Sequence, residues 1–251
     1  MRARTALLLL ALCLLPAPAA ALTGIFYQPQ LRDRVVSDHQ WRALLDHVRT
    51  EGIDTLVLQW SRYGEAFADT DGHDWLAGRV RSAREAGLDV VLGLAFDPDF
   101  FRRQELPDAL VGDYLRRLHR DNAEMARQWR ERMPPEDIAG WYLPMEVDDR
   151  RWRAPGARAL LQRYLAGEAA LLGRDGKPVY VTAFFTGNMA PASYQDFLAG
   201  LGASGVRLWV QDGGGTGKLG DAERQLYLRK SAGCVGGRGR CGRRQQHVAL
   251  L

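Results

Sequence analysis

Apolar residues along this chain recur in two alternating rhythms. Short apolar runs are followed by a polar or glycine-containing loop, then by a longer stretch with apolar positions at helical spacing. The first rhythm is that of strands and the second that of helices laid over them, which reads as repeated βα units on a parallel sheet. Six strands are expected, over Gly24–Gln28, Thr55–Trp60, Asp89–Phe96, Ile138–Met145, Pro178–Phe185 and Val206–Gln211. The unbroken apolarity of Val90 to Phe96 suits a strand covered on both faces. Between the strands, Trp41, Leu44, Leu45 and Val48 share a helical face, and Val111, Leu115, Leu118, Met125 and Trp129 mark a longer helix ended by Pro134 and Pro135. Leu160, Leu161, Tyr164, Leu165 and Leu172 mark another, as do Tyr194, Phe197, Leu198 and Leu201. Gly52, Gly87 and Gly202 stand where helix C-caps are expected.

Such alternation fits either a doubly wound open sheet or a (β/α)8 barrel. No G-x-G-x-x-G follows the first strand and no P-loop is present, which weakens the nucleotide-binding readings. The strand ends decide in favour of the barrel. Gln28, Gln59 with Trp60, Asp97, Glu146 with Asp148 and Asp149, and Gln211 with Asp212 all fall at C-terminal ends, where (β/α)8 enzymes assemble their sites. The expected fold is therefore α/β, of (β/α)8 TIM-barrel type and incomplete after the sixth strand. Its domain spans residues 22–228.

The ends of the chain differ from that body. Met1 to Ala21 has a charged start, an apolar run from Ala6 to Leu15 and small residues before Leu22, the pattern of a secretory signal peptide cleaved after Ala21. The run is shorter than the roughly 20 residues that span a bilayer, so no stable membrane anchor is expected after cleavage, and the location expected is periplasmic or secreted. After the helix that begins near Asp221, residues 229–251 lose periodicity and are expected to be a disordered Gly/Arg-rich tail. A frameshift or truncation in the coding sequence accounts for this, and so does a genuine tail on a smaller sheet. Of the net charge of +4, two units lie in Met1–Arg4 and four in Gly233–Leu251, leaving −2 on Thr5–Ala232. A nucleic-acid partner is not expected from a body of that charge. Cys234 and Cys241, the two cysteines after the leader, both lie in the tail, so the body holds no disulfide framework.

Glu146 is the leading catalytic candidate. It follows Gly140-Trp141-Tyr142-Leu143-Pro144-Met145 and precedes Asp148 and Asp149, and clustered carboxyls beside an apolar wall raise one another's pKa. Asp148 and Asp149 also fit a plainer role, capping the next helix and pairing with Arg150, Arg151 and Arg153. Asp212 opens the loop Gly213-Gly214-Gly215 and is the second catalytic candidate, with a turn aspartate as its alternative. Gln28, Gln59, Trp60, Tyr63, Asp97, Trp141, Asp148, Phe185 and Gln211 supply flat aromatic faces and hydrogen-bonding groups suited to sugar rings. For the aromatic residues among them, core packing competes. The five histidines, His39, His47, His73, His119 and His247, are scattered without H-E-x-x-H, and G-x-S-x-G is absent, so no metal, cofactor or serine nucleophile is expected.

The segments Gly24–Gln28, Gly52–Trp60, Gly140–Glu146 and Leu208–Gly213, in that order and at strand ends, resemble the bacterial family called domain of unknown function 4434, over about Gly24 to Tyr227. The resemblance implies a TIM-barrel glycoside hydrolase of retaining layout, with an acid/base Glu ending the fourth strand and a nucleophile Glu ending the seventh. Glu146 matches the first position. Nothing in this chain matches the second, and Asp212 or a missing residue is left as partner. The expected substrate is a poly- or oligosaccharide. A non-catalytic carbohydrate-binding barrel, an inactive truncated homologue and a different hydrolase on the same scaffold remain as alternatives.

Overall fold

The computed structural model describes residues 22–232 and the backbone of 247–250. The expected signal peptide lies outside the described residues. Parallel strands β1 (Thr23–Tyr27), β2 (Thr55–Leu58), β4 (Asp89–Gly93), β6 (Gly140–Asp148), β7 (Val179–Phe184) and β8 (Arg207–Gln211) are the six expected ones. Two short strands, β3 (Arg62–Tyr63) and β5 (Ala95–Phe96), pair with each other beyond the ends of β2 and β4. The helices are α1 (Asp38–Thr50), α2 (Thr70–Glu85), α3 (Phe100–Gln104), α4 (Asp108–Arg132), α5 (Pro155–Leu172), α6 (Pro191–Gly202) and α7 (Asp221–Ser231).

Local signals set most boundaries. Ser37 caps α1 in a reciprocal box with Gln40, whose amide nitrogen donates to the Ser37 hydroxyl at 3.2 Å. Pro155 and Pro191 open α5 and α6, where a missing N–H costs nothing. Gly52 and Gly87 take the left-handed conformation just past α1 and α2, as expected. Gly202 does not. It is the last residue of α6, and the left-handed turn is made by Gly205, with φ of 92°.

The main sheet has the order β8-β7-β6-β4-β2-β1-β9, where β9 is His247–Leu250. Six consecutive parallel strands curl as a half-barrel, the incomplete barrel that the sequence predicts. The expected tail is in part ordered. Arg229 to Ser231 complete α7, and β9 lies parallel to β1 on the side opposite β2, the position a barrel's last strand takes.

The two faces of the sheet are different environments. Ile25, Leu56, Leu58, Val90, Leu92, Leu143, Val181 and Leu208 point outward and pack with the helices in one large core. One residue from each of the six strands forms a second, inner cluster: Phe26, Val57, Val91, Tyr142, Tyr180 and Trp209. Trp209 stacks on Tyr180 at 4.3 Å between centroids and meets Phe26 edge-on at 5.5 Å. These rings fill the inside of the curl and give its mouth a solid floor.

Candidate functional site

Glu146 owes its place to an irregularity in β6. The pairing with β7 runs Leu143 to Val181 and then jumps to Glu146 opposite Thr182, so Pro144 and Met145 stand outside the ladder. Proline has no N–H to give a neighbouring strand, which is why the break falls there. The Thr182 hydroxyl lies 3.1 Å from the Met145 carbonyl oxygen and 3.0 Å from the Tyr142 hydroxyl, tying the bulge to β7. Thr182 in turn pairs with Trp209, so Glu146 stands in the inner row above the aromatic floor. Burial raises the pKa of its carboxyl above the ordinary value, and a side-chain hydrogen bond with Gln211 opposes the rise. Such a carboxyl can hold its proton nearer neutrality and deliver it to a leaving oxygen.

Gln59 continues the inner side of β2 by alternation from Val57. It is buried, and its Oε1 has no hydrogen-bond partner in the structure. A buried acceptor without a donor is costly, so this oxygen is suited to a ligand hydroxyl. Gly93 pairs with Tyr142 on the next strands, and any Cβ there would overlap the Gln59 and Leu58 carbonyl oxygens. The glycine is what lets β2 and β4 approach here. Gln28, half-buried, ends β1 on the same side.

Other sequence candidates lie elsewhere. Trp141 faces the helices, buried beneath the Arg130 guanidinium, whose carbon is 5.2 Å from the ring centroid. Phe185 is buried against Tyr227, stacked at 4.5 Å. Trp60 donates its indole N–H to the Pro29 carbonyl at 3.2 Å and packs with Tyr63 and Phe96. Asp148 accepts from the backbone of Arg150 and Arg151 and from Gln104, and Asp149 accepts from Thr186, Asn188 and Met189. Both acids are buried, and Asp148 caps the turn at Arg150 and Arg151, which is the plainer role. They are fold-holding groups whose oxygens are engaged. Asp212 is exposed, closes a turn with the Gly214 N–H at 2.9 Å and pairs with Arg224. Its neighbour Gln211, not Asp212 itself, reaches Glu146.

Asp97 lies in a separate cleft of about 390 Å³ between the β3–β5 pair and α4, with Arg62, Glu65, Phe96, Arg103, Arg117 and Asp121 among its walls. Asp97 itself is held by Arg103 at 3.3 Å and by the Asp99 N–H at 3.0 Å. The aromatic floor of Phe26, Tyr142, Tyr180 and Trp209 was not among the sequence candidates. Its signal was at least one aromatic residue inside each of four strands. Among the described residues, no three His, Cys, Asp or Glu side chains gather to hold a metal, and no helix is long and apolar enough to cross a membrane.

A curled parallel sheet with its polar groups at the C-terminal mouth is the architecture of TIM-barrel glycosidases and epimerases. The chain belongs to the family described as Domain of unknown function (DUF4434), which matches residues 22–238. It is 42% identical over 227 residues, 90% of this chain and 76% of the other, to the uncharacterized protein YbcH of Escherichia coli (strain K12). Among solved structures, a Bacteroides thetaiotaomicron VPI-5482 protein assigned as an alpha-L-fucosidase superposes with a TM-score of 0.59 at 12% identity, over 94% of this chain and 89% of that one. The beta-galactosidase of the psychrophilic Marinomonas ef1 gives 0.51 at 13% identity, over 76% of this chain and 40% of that one. A D-psicose 3-epimerase gives 0.50 at 12% identity over 91% of this chain and 72% of that one. At these identities the likeness is one of fold.

Proposed function

We propose that this protein is an exported glycoside hydrolase acting on a poly- or oligosaccharide, with Glu146 as general acid/base. The observation that carries the reading is the half-buried Glu146 carboxyl, with its raised pKa, on the inner row over an aromatic floor. The packed rings close the curl beneath Glu146, and Gln28, Gln59 and Gln211 are placed to hydrogen-bond the hydroxyls of a sugar at the mouth. Protonation of a glycosidic oxygen by Glu146 breaks the bond as the oxocarbenium-like centre forms, and water completes hydrolysis. Turnover of a panel of glycans by the full chain and by Glu146→Gln tests this. A loss of about 10² to 10⁴-fold is expected for an acid/base group, and unchanged turnover removes Glu146 from the mechanism. Export is checked by the N-terminal mass of the secreted chain, expected to begin at Leu22.

One observation favours a second reading, that of a carbohydrate-binding barrel without catalysis. Asp148, Asp149 and Asp212, the acids nearest in strand-end position, all have oxygens engaged by other groups. Calorimetry separates the two readings: binding of a glycan that is never cleaved selects the second.

A further inference from the structure

The cleft beside α4 has no part in the scheme above. Its charged walls balance, with Arg62, Arg103 and Arg117 against Glu65, Asp97 and Asp121, so it has no net pull on an anion or a cation. The groups are loosely engaged where the cleft is open. Arg62 and Asp121 approach only to 4.0 Å, and Arg117 leans on the Tyr114 ring, 5.2 Å from its centroid. Paired donors on guanidinium and paired acceptors on carboxylate match neighbouring hydroxyls on a ring. Phe96 presents a flat wall that is backed by Tyr63, stacked at 5.2 Å. The volume falls in the range of about 300 to 1,000 Å³ usual for small-ligand clefts.

The place is as telling as the lining. The cleft opens beyond the C-terminal ends of β2 and β4, and its walls Ala95, Asp97 and Leu118 also border a small void of about 10 Å³ behind Leu143, Pro144 and Met145. That void lies on the helix side of the bulge whose inner side carries Glu146. We infer that the cleft is a second carbohydrate site, taking a neutral glycosyl unit of a chain whose reacting end lies at Glu146; the inference rests on the carbohydrate reading of the inner face.

The test uses the full chain carrying Glu146→Gln, titrated calorimetrically with neutral hexasaccharides of β-1,4-linked glucose, mannose or N-acetylglucosamine and with hexagalacturonate. Arg117→Ala with Glu65→Gln, both at exposed positions, removes cleft groups, and a melting curve confirms that the fold is kept. At least one neutral hexasaccharide is expected to bind, and the double change to weaken it by about tenfold. Unchanged affinity, no binding of any neutral hexasaccharide, or preference for hexagalacturonate overturns the proposal. The catalytic reading stands or falls separately, because cleavage of a methyl monosaccharide glycoside, whose leaving oxygen needs a proton, should be insensitive to the cleft changes and lost in Glu146→Gln.

Discussion

The side chain of Gln211, at the end of β8, hydrogen-bonds that of Glu146 on β6, two strands away across β7. The bond favours the ionised carboxyl while burial disfavours it, so the two effects set the proton affinity between them. Gln211→Leu removes the bond and leaves the burial. The titration midpoint of Glu146, followed by carboxyl ¹³C NMR, is expected to move up. In turnover, the alkaline limb governed by the protonated acid should move up with it, and a midpoint that moves down contradicts the assignment.

Glu168 on α5 is fully buried, and burial pushes its pKa up to about 8, with the nearby polar groups of Asn122 and Tyr164 opposing the rise. Its Oε1 lies 3.0 Å from Nδ1 of His119. The folded state therefore holds this proton more tightly than the unfolded chain. Stability from this group is full below the unfolded value near pH 4.5 and is lost as pH rises towards 8, at up to about 1.4 kcal/mol per pH unit. Glu168→Gln should be close to neutral at pH 4.5 and stabilising at pH 8. Urea midpoints at the two pH values check this, and an equal effect at both would contradict it.

Asp149 orders the loop after β7. One oxygen accepts from the Thr186 N–H at 2.9 Å, and the other from the Asn188 and Met189 N–H groups at 2.8 and 3.1 Å. Asp149→Ala strands these donors in a buried place, and a loss of about 3 kcal/mol or more is expected. Denaturant unfolding measures it, with Asp149→Asn expected to recover part of the loss.

At Gly93 the outcome is steric. A methyl group there overlaps backbone oxygens on β2, which have no flexible end to move aside. Gly93→Ala should lower the melting temperature by several degrees and abolish any sugar binding at Gln59. Gly78→Ala, where a Cβ meets nothing, serves as the control and should be harmless.

The six main strands were legible in the sequence because each apolar run is long enough to be covered on both sides. That same continuity concealed which face each residue takes. Trp141 and Tyr142 are adjacent aromatics of similar appeal, yet one packs under Arg130 and the other joins the inner floor. Only the register across β4 and β7 separates them. Glu146 was legible as a strand-end acid, and so was the capping of the turn at Arg150 and Arg151 by Asp148, whereas the bond of Asp148 with Gln104 in α3 and the hold of Asp149 on the loop after β7 were not, since those partners lie tens of residues away. The β3–β5 pair was hidden because strands of two residues carry no periodicity.

The bulge in β6 carries a rule of parity. Two residues, Pro144 and Met145, stand outside the pairing between Leu143 and Glu146. Side chains in a strand alternate with a period of two, so an even insertion preserves which way every later residue points and an odd one reverses it. Relatives that keep this carboxyl are therefore expected to differ in β6 length by pairs of residues. A single deletion here would turn Glu146 into the greasy layer under the helices and lift Val147 into the mouth.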